Sequence, residues 1–326
     1  MVSSMNAPDL DFTPPVSVIV PIYNGAADLP ALLACLQAQT YPEGQVEYLL
    51  VDNNSRDRTA ELIQTASRTW PAVRLVQEPA IQSSYAARNQ GIRAARSDLL
   101  AFTDADCRPE PDWLRYLVQP LQQPEIGLVV GEILGLPGQT WLERHAERHQ
   151  VLSQKFTLAH PFCPYGQTAN LAVRAAALER VGLFRPYLTT GGDADLCWRI
   201  LRETEWRYAF APQAIIRHRH RATLGEFRSQ WRRYGRSNRY LHELYGVPLM
   251  PELTTGKLLY RLGRWLLKEV PRAGLRRLQG RAEGLELLRT PIDLIGYQAR
   301  SAGQRQARLP EQARTIEPWE KSPADG

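Results

Sequence analysis

The sequence lacks the features that identify several large classes of protein. Its four cysteines are far apart and include no Cys-x-x-Cys pair, which argues against a zinc site or a secreted disulfide scaffold and fits a reducing compartment. It contains no run of about 18 apolar residues, so no helix is expected to span a bilayer. Because residues 1–15 have neither a basic segment nor a long apolar one, no signal peptide is expected.

Two glycine-rich phosphate-binding motifs are also missing. No Gly-x-Gly-x-x-Gly follows the first predicted strand, and no Gly-x-x-x-x-Gly-Lys-Ser/Thr occurs anywhere. In both motifs, the backbone N–H groups of a glycine loop hold phosphate at the start of a helix. Their absence disfavours dinucleotide-dependent redox chemistry and P-loop hydrolysis.

Positive charge is concentrated in one part of the chain, whose overall net charge is +6. Residues 1–198 carry −6, whereas residues 199–309 carry +14 and residues 310–326 carry −2. A basic surface attracts phosphates, nucleic acid or acidic lipid headgroups. The interleaved aromatic residues and the motifs of nucleic-acid-binding modules are missing, so no nucleic-acid partner is expected.

The N-terminal part of the chain alternates between short apolar strands and helices. The predicted strands cover residues 16–21, 46–51, 73–76 and 99–102, and helices begin after Asp28, at Thr59 and at Ser83 or Ser84. This alternation predicts the α/β class, with a mixed, mostly parallel sheet flanked by helices. Polar clusters follow the first, second and fourth strands, at the sheet edge where such folds bind ligands.

The fourth strand ends in two carboxylates, Asp104 and Asp106, one residue apart. Carboxylates this close repel each other unless a cation lies beside them, and hard divalent cations prefer oxygen ligands. Taken alone, the pattern fits a metal site, and it fits a solvated strand end followed by the turn at residues 107–111. Asn24 and Asp52 follow the first and second strands, so the whole edge is acidic and rich in amides.

Four motifs together resemble one known family. They are Val18-Ile19-Val20-Pro21-Ile22-Tyr23-Asn24, Val51-Asp52-Asn53-Asn54-Ser55, Arg88-Asn89-Gln90-Gly91 and Thr103-Asp104-Ala105-Asp106. Their order and spacing are similar to those of the family 2 glycosyltransferases with the GT-A fold, and the resemblance covers residues 16–235. It implies an inverting transfer assisted by Mg²⁺ or Mn²⁺. The donor would be a nucleoside diphosphate sugar, with a UDP-sugar favoured, and the acceptor a hydroxyl of a glycan or lipid-linked substrate.

The resemblance also implies roles on the donor side of the site. Asp52 would contact the nucleobase, Asp104 the ribose and the metal, and Asp106 the metal on the diphosphate. The other donor-site candidates in these motifs are Pro21, Tyr23, Asn24 and Asn54. Arg88 has two interpretations: a partner of phosphate or of a charge network, or a helix-face arginine paired with Asp98.

Inversion at the anomeric carbon requires a base opposite the leaving group. The segment from Gly191 resembles the family's Gly-Glu-Asp-x-Asp, and the resemblance assigns the base to Asp193. Acidic residues here also have a simpler explanation, since they interact favourably with a helix N-terminus. Asp195 is the alternative candidate for the base; otherwise it is a substrate-binding candidate, or it fixes the helix start or pairs with Arg199. Gly192 replaces the common glutamate, and it is the only feature that suggests the alternative function, a non-catalytic nucleotide-sugar-binding protein.

Two further segments supply acceptor-side candidates by resemblance. Thr168 and Asn170 lie in a polar loop that enters a strand, where they would face the donor sugar or the acceptor. Gln230-Trp231-Arg232-Arg233-Tyr234 resembles the Gln-x-x-Arg-Trp segment of processive members, with tyrosine in place of the final tryptophan. Gln230 and Arg233 are therefore expected near the substrate.

The chain around residues 206–216 is predicted to form two short strands about Ala211-Pro212, followed by a basic run containing His218 and His220. On an extended strand these two histidines would point the same way. A histidine at this place adds a metal or phosphate contact in some GT-A relatives, which makes His218 a candidate metal ligand. A general cationic patch near the diphosphate is the alternative.

Residues 255–308 carry leucines at helical spacing between basic residues. This pattern fits a helical cap packed on a catalytic domain, and it fits basic amphipathic helices in an anionic membrane interface. We favour the membrane surface as a partner, with the protein peripheral on the cytoplasmic face. The expected organisation is a disordered lead-in (1–15), a GT-A domain (16–222), a helical extension (223–308) and a disordered tail (309–326).

Overall fold

The computed structural model describes residues 11–278 and 287–321. These residues form two units. The first unit comprises residues 11–135, 152–219 and 310–321, and the second comprises residues 136–151, 220–278 and 287–309. Residues 136–151 thus group with the C-terminal helices, which a single boundary near residue 222 does not anticipate. The expected lead-in falls mostly on residues 1–10, outside the described residues.

The first unit is built on an eight-stranded sheet with the order β3-β2-β1-β4-β7-β6-β8-β5. The strands are β1 (Val16–Ile22), β2 (Val46–Asp52), β3 (Val73–Gln77), β4 (Leu99–Phe102), β5 (Cys107–Pro109), β6 (Ile126–Gly135), β7 (Leu171–Arg174) and β8 (Arg207–His218). Neighbours among β1 to β4 run parallel, as do β6 and β8, whereas β7 is antiparallel to β4 and β6, and β5 to β8. This confirms the mixed, mostly parallel sheet predicted from the sequence.

Register brings the carboxyl ends of three central strands to one edge. Ile22 of β1 pairs with Asp52 of β2, and Ile19 of β1 pairs with Phe102 of β4. The chain therefore leaves β1, β2 and β4 near one another, and the polar residues after these strands are brought to the same place. The buried strand faces are apolar, so hydrophobic burial fixes the strands and leaves the polar strand ends at the rim.

Helices flank the sheet of the first unit, and other helices form the second unit. They are α1 (Leu29–Gln37), α2 (Thr59–Thr69), α3 (Ser84–Ala94), α4 (Trp113–Val118), α5 (Trp141–Arg148), α6 (Lys155–Leu158), α7 (Ala175–Val181), α8 (Gly192–Glu203), α9 (Leu224–Tyr245), α10 (Thr255–Arg264), α11 (Val270–Leu278) and α12 (Arg289–Gln306). Ser83 caps α3 by accepting the Tyr85 N–H at 3.2 Å, as its position before a helix predicts. Asp28 precedes α1 without capping it, and its carboxylate instead lies 2.7 Å from the Arg108 guanidinium.

The strand after residue 206 differs from the expectation. β8 is one strand of twelve residues, and a register shift between Gly131 and Glu132 of β6 absorbs Pro212 and its neighbours without ending the pairing. Because β8 ends at His218, His220 does not continue the same strand, so the expectation that the two histidines share one strand face is wrong. β5 pairs with this end of β8 and places Cys107 opposite His218.

The expectation of a disordered tail does not hold for residues 310–321, which are ordered against the first unit. Glu311–Arg314 forms a 3₁₀ turn, and Ala313 is fully buried. The buried Arg185 guanidinium donates to the carbonyl oxygens of Ala313 and Arg314. The Leu183 N–H donates to the Glu317 carbonyl oxygen at 3.0 Å. These bonds satisfy buried polar groups, which composition alone does not reveal.

In the second unit, α9 and α12 pack at very short range. A Cβ atom on Gly235 would lie 1.8 Å from the Arg300 carbonyl oxygen, and one on Gly303 would lie 2.0 Å from that of Arg232. The two glycines therefore allow the helix backbones to touch, and Phe227 and Ile292 pack nearby with Leu142 of α5. Among the described helices, none combines the length and apolar character needed to cross a bilayer.

Candidate active site

One side of the candidate site is assembled from the loops after β1 and β2. Asp52, at the end of β2, is buried, and its Oδ1 accepts the Ser55 N–H at 3.3 Å. The neighbouring Asn53 donates through Nδ2 to the carbonyl oxygens of Glu78 (2.9 Å) and Ile81 (2.8 Å). Asn53 therefore stabilises the loop, while the Asp52 carboxylate lies at the ligand edge of the sheet.

Asn24 ties these two loops together. Its backbone has φ of 49°, its Oδ1 accepts the Arg56 N–H at 2.8 Å, and its own N–H donates to Ser55 Oγ at 2.9 Å. These bonds give Asn24 a structural role in addition to the substrate contact expected from the sequence. The other candidates here differ in exposure: Pro21 is buried within β1, whereas Tyr23 and Asn54 are exposed.

Arg88 pairs with Asp104. The guanidinium of Arg88 on α3 is buried and lies 2.5 Å from Asp104 Oδ1, just beyond β4. The sequence interpretation that pairs Arg88 with Asp98 is wrong, because Asp98 lies 2.5 Å from Lys321 Nζ instead. Arg88 thus belongs to the charge network of the strand end, as the other interpretation predicts. A buried guanidinium at this edge supplies positive charge where little water screens it.

Asp106 meets His218, as a shared metal site would require. Asp106 Oδ2 lies 3.2 Å from His218 Nε2, and ligand atoms of Asp106, Cys107 and His218 all lie within 4.8 Å of one another. His218 Nδ1 lies 2.7 Å from the Arg219 carbonyl oxygen, so this nitrogen carries the proton of a neutral ring. The lone pair on Nε2 then faces the Asp106 carboxylate oxygen. Two such acceptors repel each other, and their contact becomes favourable when a further proton or a shared cation lies between them.

The donor set at this point fits a divalent ion that accepts oxygen and imidazole ligands. Asp104 and Asp106 are both partly exposed and supply carboxylate oxygens, and His218 supplies a nitrogen. Such mixed oxygen and nitrogen sets suit Mn²⁺, and carboxylates suit Mg²⁺. Cys107 is a weaker candidate because it lies in the hydrophobic core, where burial raises the pKa of its thiol well above its usual value.

Asp193 lies in the first turn of α8, beside this charge network. Thr168 Oγ1 donates to Asp193 Oδ1 at 2.9 Å, so the two residues that the sequence places on the acceptor side are in contact. Burial raises the pKa of Asp193, and the positive charge of Arg88 and the hydroxyls of Thr168 and Tyr85 act in the opposite direction. A carboxylate with a raised pKa is a stronger base than one in water, which suits general-base chemistry.

Asp195 has a different environment from Asp193. It is fully buried, with Oδ1 2.8 Å from Arg185 Nε and Oδ2 3.0 Å from Arg199 Nη2. Arg199 also donates to the carbonyl oxygens of Val181, Gly182 and Leu183. The pairing of Asp195 with Arg199 is as expected, but a substrate-binding role is not supported, because both carboxylate oxygens are held inside the fold.

Asn170 is also used by the fold. It is fully buried, its Oδ1 accepts the Trp113 indole N–H at 2.8 Å, and its Nδ2 donates to the carbonyl oxygens of Glu132 (2.8 Å) and Ala214 (2.7 Å). These bonds join the turn before β7 to α4, β6 and β8. The expected contact of Asn170 with substrate is therefore replaced by a structural role, and Thr168 alone remains as the acceptor-side candidate of this loop.

Gln230 and Arg233 lie on α9 in the second unit. Gln230 is half-buried and Arg233 is exposed. They are not among the residues that the first unit brings together, and their substrate contact stays a prediction.

Tyr85 is the site residue that sequence reasoning missed. It lies three positions before Arg88 on α3, and residues at this spacing share a helix face. Its hydroxyl accepts the Gly192 N–H at 3.0 Å and also hydrogen-bonds to Asp193. The spacing was the available signal, because any residue on the Arg88 face of α3 points toward the same sheet edge.

The fold and this arrangement define a class: an α/β protein with an acidic strand end whose ligand atoms could hold a cation, and a separate carboxylate of raised pKa at the same ligand edge. The sequence model described as glycosyl transferase family 2 matches residues 17–183, and the chain belongs to that family. Two curated relatives are similar to part of this chain. The chain is 36% identical over 182 residues to glycosyltransferase AglE of Haloferax volcanii, a match that covers 55% of this chain and 59% of AglE.

The second relative is an undecaprenyl-phosphate 4-deoxy-4-formamido-L-arabinose transferase of Pseudomonas aeruginosa. It is 39% identical over 110 residues, which are 33% of this chain and 32% of that protein. This chain thus spans less than two thirds of either relative. A solved structure, a mannosyltransferase of Pyrobaculum calidifontis in complex with GDP-Man and Mn²⁺, matches with a TM-score of 0.59 and 22% identity, covering 92% of this chain and 86% of that one. This last likeness confirms the GT-A fold.

Proposed function

We propose that the protein is an inverting glycosyltransferase. It moves a sugar from a nucleoside diphosphate sugar to a hydroxyl of a glycan or lipid-linked acceptor. One observation carries the proposal: Asp193, a carboxylate with a raised pKa, lies beside the Arg88–Asp104 pair, so a base and an anion-binding edge share one site. A binding protein would need the charged edge without such a base.

The donor is held by the edge after β1, β2 and β4. The Asp52 carboxylate accepts a hydrogen bond from an N–H of the nucleobase, and Asp104 accepts from the ribose hydroxyls. Asp52 suits uracil and we favour a UDP-sugar, although guanine also offers N–H donors. Asp106, Asp104 and His218 would hold Mg²⁺ or Mn²⁺, which when bound supplies positive charge beside the departing diphosphate.

Asp193 acts as the general base. Its carboxylate accepts the proton of the acceptor hydroxyl while that oxygen forms a bond to the anomeric carbon, and the bond from this carbon to the diphosphate breaks. Attack from the face opposite the diphosphate inverts the anomeric configuration. Thr168 holds the Asp193 carboxylate by its 2.9 Å hydrogen bond, and the positive charge of Arg88 favours the ionised form of that carboxylate against the effect of burial.

The activity is tested by a donor screen that measures release of nucleoside diphosphate from UDP-sugars and GDP-sugars in the presence of Mn²⁺ or Mg²⁺. We expect release with one donor class and a loss of at least about a hundredfold in Asp106→Ala. Glu61→Gln is a matched carboxylate control, because Glu61 forms only an exposed ion pair with Arg58. Near-full activity of Asp106→Ala would contradict the metal assignment. Donor binding without any turnover would favour the non-catalytic alternative.

We further propose that the second unit binds the cytoplasmic face of an anionic membrane. α10 and the π-helical turn after it (Trp265–Glu269) contain no buried residue. Most of their large apolar side chains are exposed, Tyr260 by 70% and Leu267 by 80%, while Leu258 and Trp265 are half-buried. The exposed apolar residues of this segment are Leu259, Tyr260, Leu262, Leu266 and Leu267.

Basic residues lie between these apolar side chains, which identifies the kind of surface that fits. Lys257, Arg264 and Lys268 are exposed within the same turns. Exposed leucines next to lysine and arginine match a bilayer interface with acidic headgroups, where both kinds of side chain are satisfied. The name of the Pseudomonas aeruginosa relative specifies undecaprenyl phosphate, a membrane lipid carrier, which supports a lipid-linked acceptor for this protein.

Flotation with liposomes tests the membrane proposal. We expect binding to phosphatidylglycerol vesicles and little binding to phosphatidylcholine vesicles, with the difference reduced at high salt. Leu259→Ser combined with Leu267→Ser should lower binding at least about tenfold. Phe156→Ser is the matched control, because Phe156 is 63% exposed in the first unit. Equal binding of the double variant and the unaltered protein would contradict the proposal.

A further inference from the structure

The start of α3 is fastened to the segment that leads into α8. Ser83 Oγ donates to the Leu188 carbonyl oxygen at 3.1 Å. The side chain of Asn89 bonds both backbone groups of Phe184, donating to its carbonyl oxygen at 2.8 Å and accepting its N–H at 3.1 Å. These bonds hold α3 against the segment that leads to Asp193.

Tyr85 is the contact between these two elements that reaches the site. Its ring is buried and stacks on Phe184, with centroids 5.6 Å apart. Its hydroxyl accepts the Gly192 N–H at 3.0 Å and hydrogen-bonds to Asp193. A phenol has one proton to donate, and an ionised carboxylate can only accept, so Tyr85 donates this proton to Asp193.

Gly192 leaves the space that the Tyr85 ring fills. A Cβ atom at position 192 would lie 2.7 Å from Cζ of Tyr85 and 2.8 Å from Cε1, closer than real contacts allow. The preceding Gly191 has φ of 83°, in the left-handed region that favours glycine. The glutamate common in the family at position 192 could not coexist with the Tyr85 ring in this place.

We propose that Tyr85 is a positioning residue for Asp193, and that Gly192 exists to admit its ring. The hydroxyl holds the helix start through the Gly192 N–H and orients the carboxylate through its own proton. Oriented in this way, Asp193 faces the acceptor without having to reorganise during the reaction. The inference rests on the proposed role of Asp193 as base. In this chain the pair formed by Tyr85 and Gly192 takes the place of the glutamate that is common in the family at position 192.

The other groups around Asp193 determine how its pKa and orientation respond when the Tyr85 hydroxyl is removed. Arg88 of α3, Asp104 after β4, Thr168 before β7 and Cys197 of α8 all interact with Asp193. Arg88 and Thr168 stay in place when Tyr85 becomes phenylalanine. One of two hydroxyl contacts to the carboxylate is then lost, so the pKa of Asp193 rises further and its orientation is less fixed.

Kinetics of Tyr85→Phe test the proposal on the donor found in the screen. We expect kcat to fall about tenfold while the donor KM changes by less than about twofold, since the donor edge is untouched. The acidic limb of the pH profile should move to higher pH, because the base ionises less readily without the Tyr85 hydrogen bond. Tyr208→Phe removes the same hydroxyl from β8 and should change neither quantity. A loss that is equal at all pH values, or no loss, would overturn the inference.

Gly192→Ala tests the steric part. The added methyl forces the ring away although the hydroxyl is kept, so kcat should fall by a similar factor of about ten. Combining it with Tyr85→Phe should cost much less than the product of the two single losses. Full multiplication of the two losses would mean that Gly192 acts independently of Tyr85.

A double-mutant cycle on urea unfolding tests the contact without any substrate. Tyr85→Phe should change the unfolding equilibrium constant about fivefold more in the unaltered protein than in the Asp193→Ala background, where no side-chain acceptor for the Tyr85 hydroxyl remains. An equal effect in both backgrounds would show that the hydroxyl does not act on Asp193. The proposed function fails separately: it falls if Asp193→Asn keeps its turnover, whereas only the present inference falls if Asp193→Asn is inactive and Tyr85→Phe is normal.

Discussion

Two pairs of aspartates, each separated by one residue, have opposite meanings in this molecule. Asp104 and Asp106 follow a strand, and both lie at the ligand edge. Asp104 pairs with Arg88, and Asp106 contacts His218. Asp193 and Asp195 begin a helix, and only Asp193 reaches the site, while Asp195 is enclosed by two arginines. Helix positions i and i+2 point to different sides, so one residue serves the site and the other the core. The same spacing therefore carries different information after a strand and within a helix.

The strongest test of this contrast is Asp193→Asn. The amide keeps the shape and the Thr168 contact but cannot accept the acceptor proton, so we expect kcat to fall by about a thousandfold. Stability should change little, because the residue is not part of a buried ion pair. Nucleoside diphosphate release and urea unfolding measure the two effects. If turnover were unaffected, the base would have to be another residue.

Asp195→Asn should have the opposite result. It leaves Arg185 and Arg199 buried without a negative partner, so we expect a loss of about 3 kcal/mol in the free energy of unfolding. Urea unfolding measures it. Any folded fraction at low temperature should retain donor binding, since Asp195 does not reach the site. A variant with unchanged stability but no activity would assign Asp195 to the chemistry.

His218→Gln tests the strand-end pair. Removing the imidazole takes one ligand from the Asp106 side, so the concentration of Mn²⁺ that gives half-maximal activity should rise about tenfold. Arg219→Gln is the comparison variant, since it removes a neighbouring positive charge and no ligand atom. An equal rise in both variants would indicate a general charge effect instead of ligation.

The smallest effect expected is on pH dependence. Burial raises the pKa of Asp193, so kcat/KM should fall on the acidic side at a higher pH than for an exposed aspartate. The sign follows from the role of the residue: a base must be ionised, and protonation below its pKa removes activity. In Thr168→Val the fall should begin at a higher pH still, because one stabilising hydrogen bond is lost. If the acidic limb of the pH profile did not move in Thr168→Val, Thr168 would not be acting on the base.

Much of the first unit was predictable from local patterns. Apolar strands and capping residues such as Ser83 report directly on burial and on helix starts, so the sheet and its ligand edge follow from the sequence. The carboxylates after β2 and β4 were found because a strand end fixes where the next side chains lie. The partner of Arg88 could be identified only from the structure, because Asp98 and Asp104 are both near Arg88 in sequence and only packing distinguishes them.

The errors have a common cause. Asn170 and Asp195 match family motifs, yet their hydrogen bonds go to carbonyl groups and arginines of distant segments that no local pattern announces. The same is true of residues 310–321, whose order depends on Arg185. Tyr85 was missed for the complementary reason: a buried tyrosine is ordinary in sequence, and its role becomes visible only next to a glycine more than a hundred positions away.

The return of residues 310–321 to the first unit changes what a minimal version of this protein would be. A version cut after residue 309 would lose the carbonyl partners of Arg185, the same guanidinium that neutralises Asp195 under the start of α8. The second unit is thus not an appendage at one end of the chain, because its two segments are inserted between parts of the first. Isolating the first unit alone would require excising two internal stretches and rejoining the chain, while keeping the 3₁₀ turn at Glu311–Arg314.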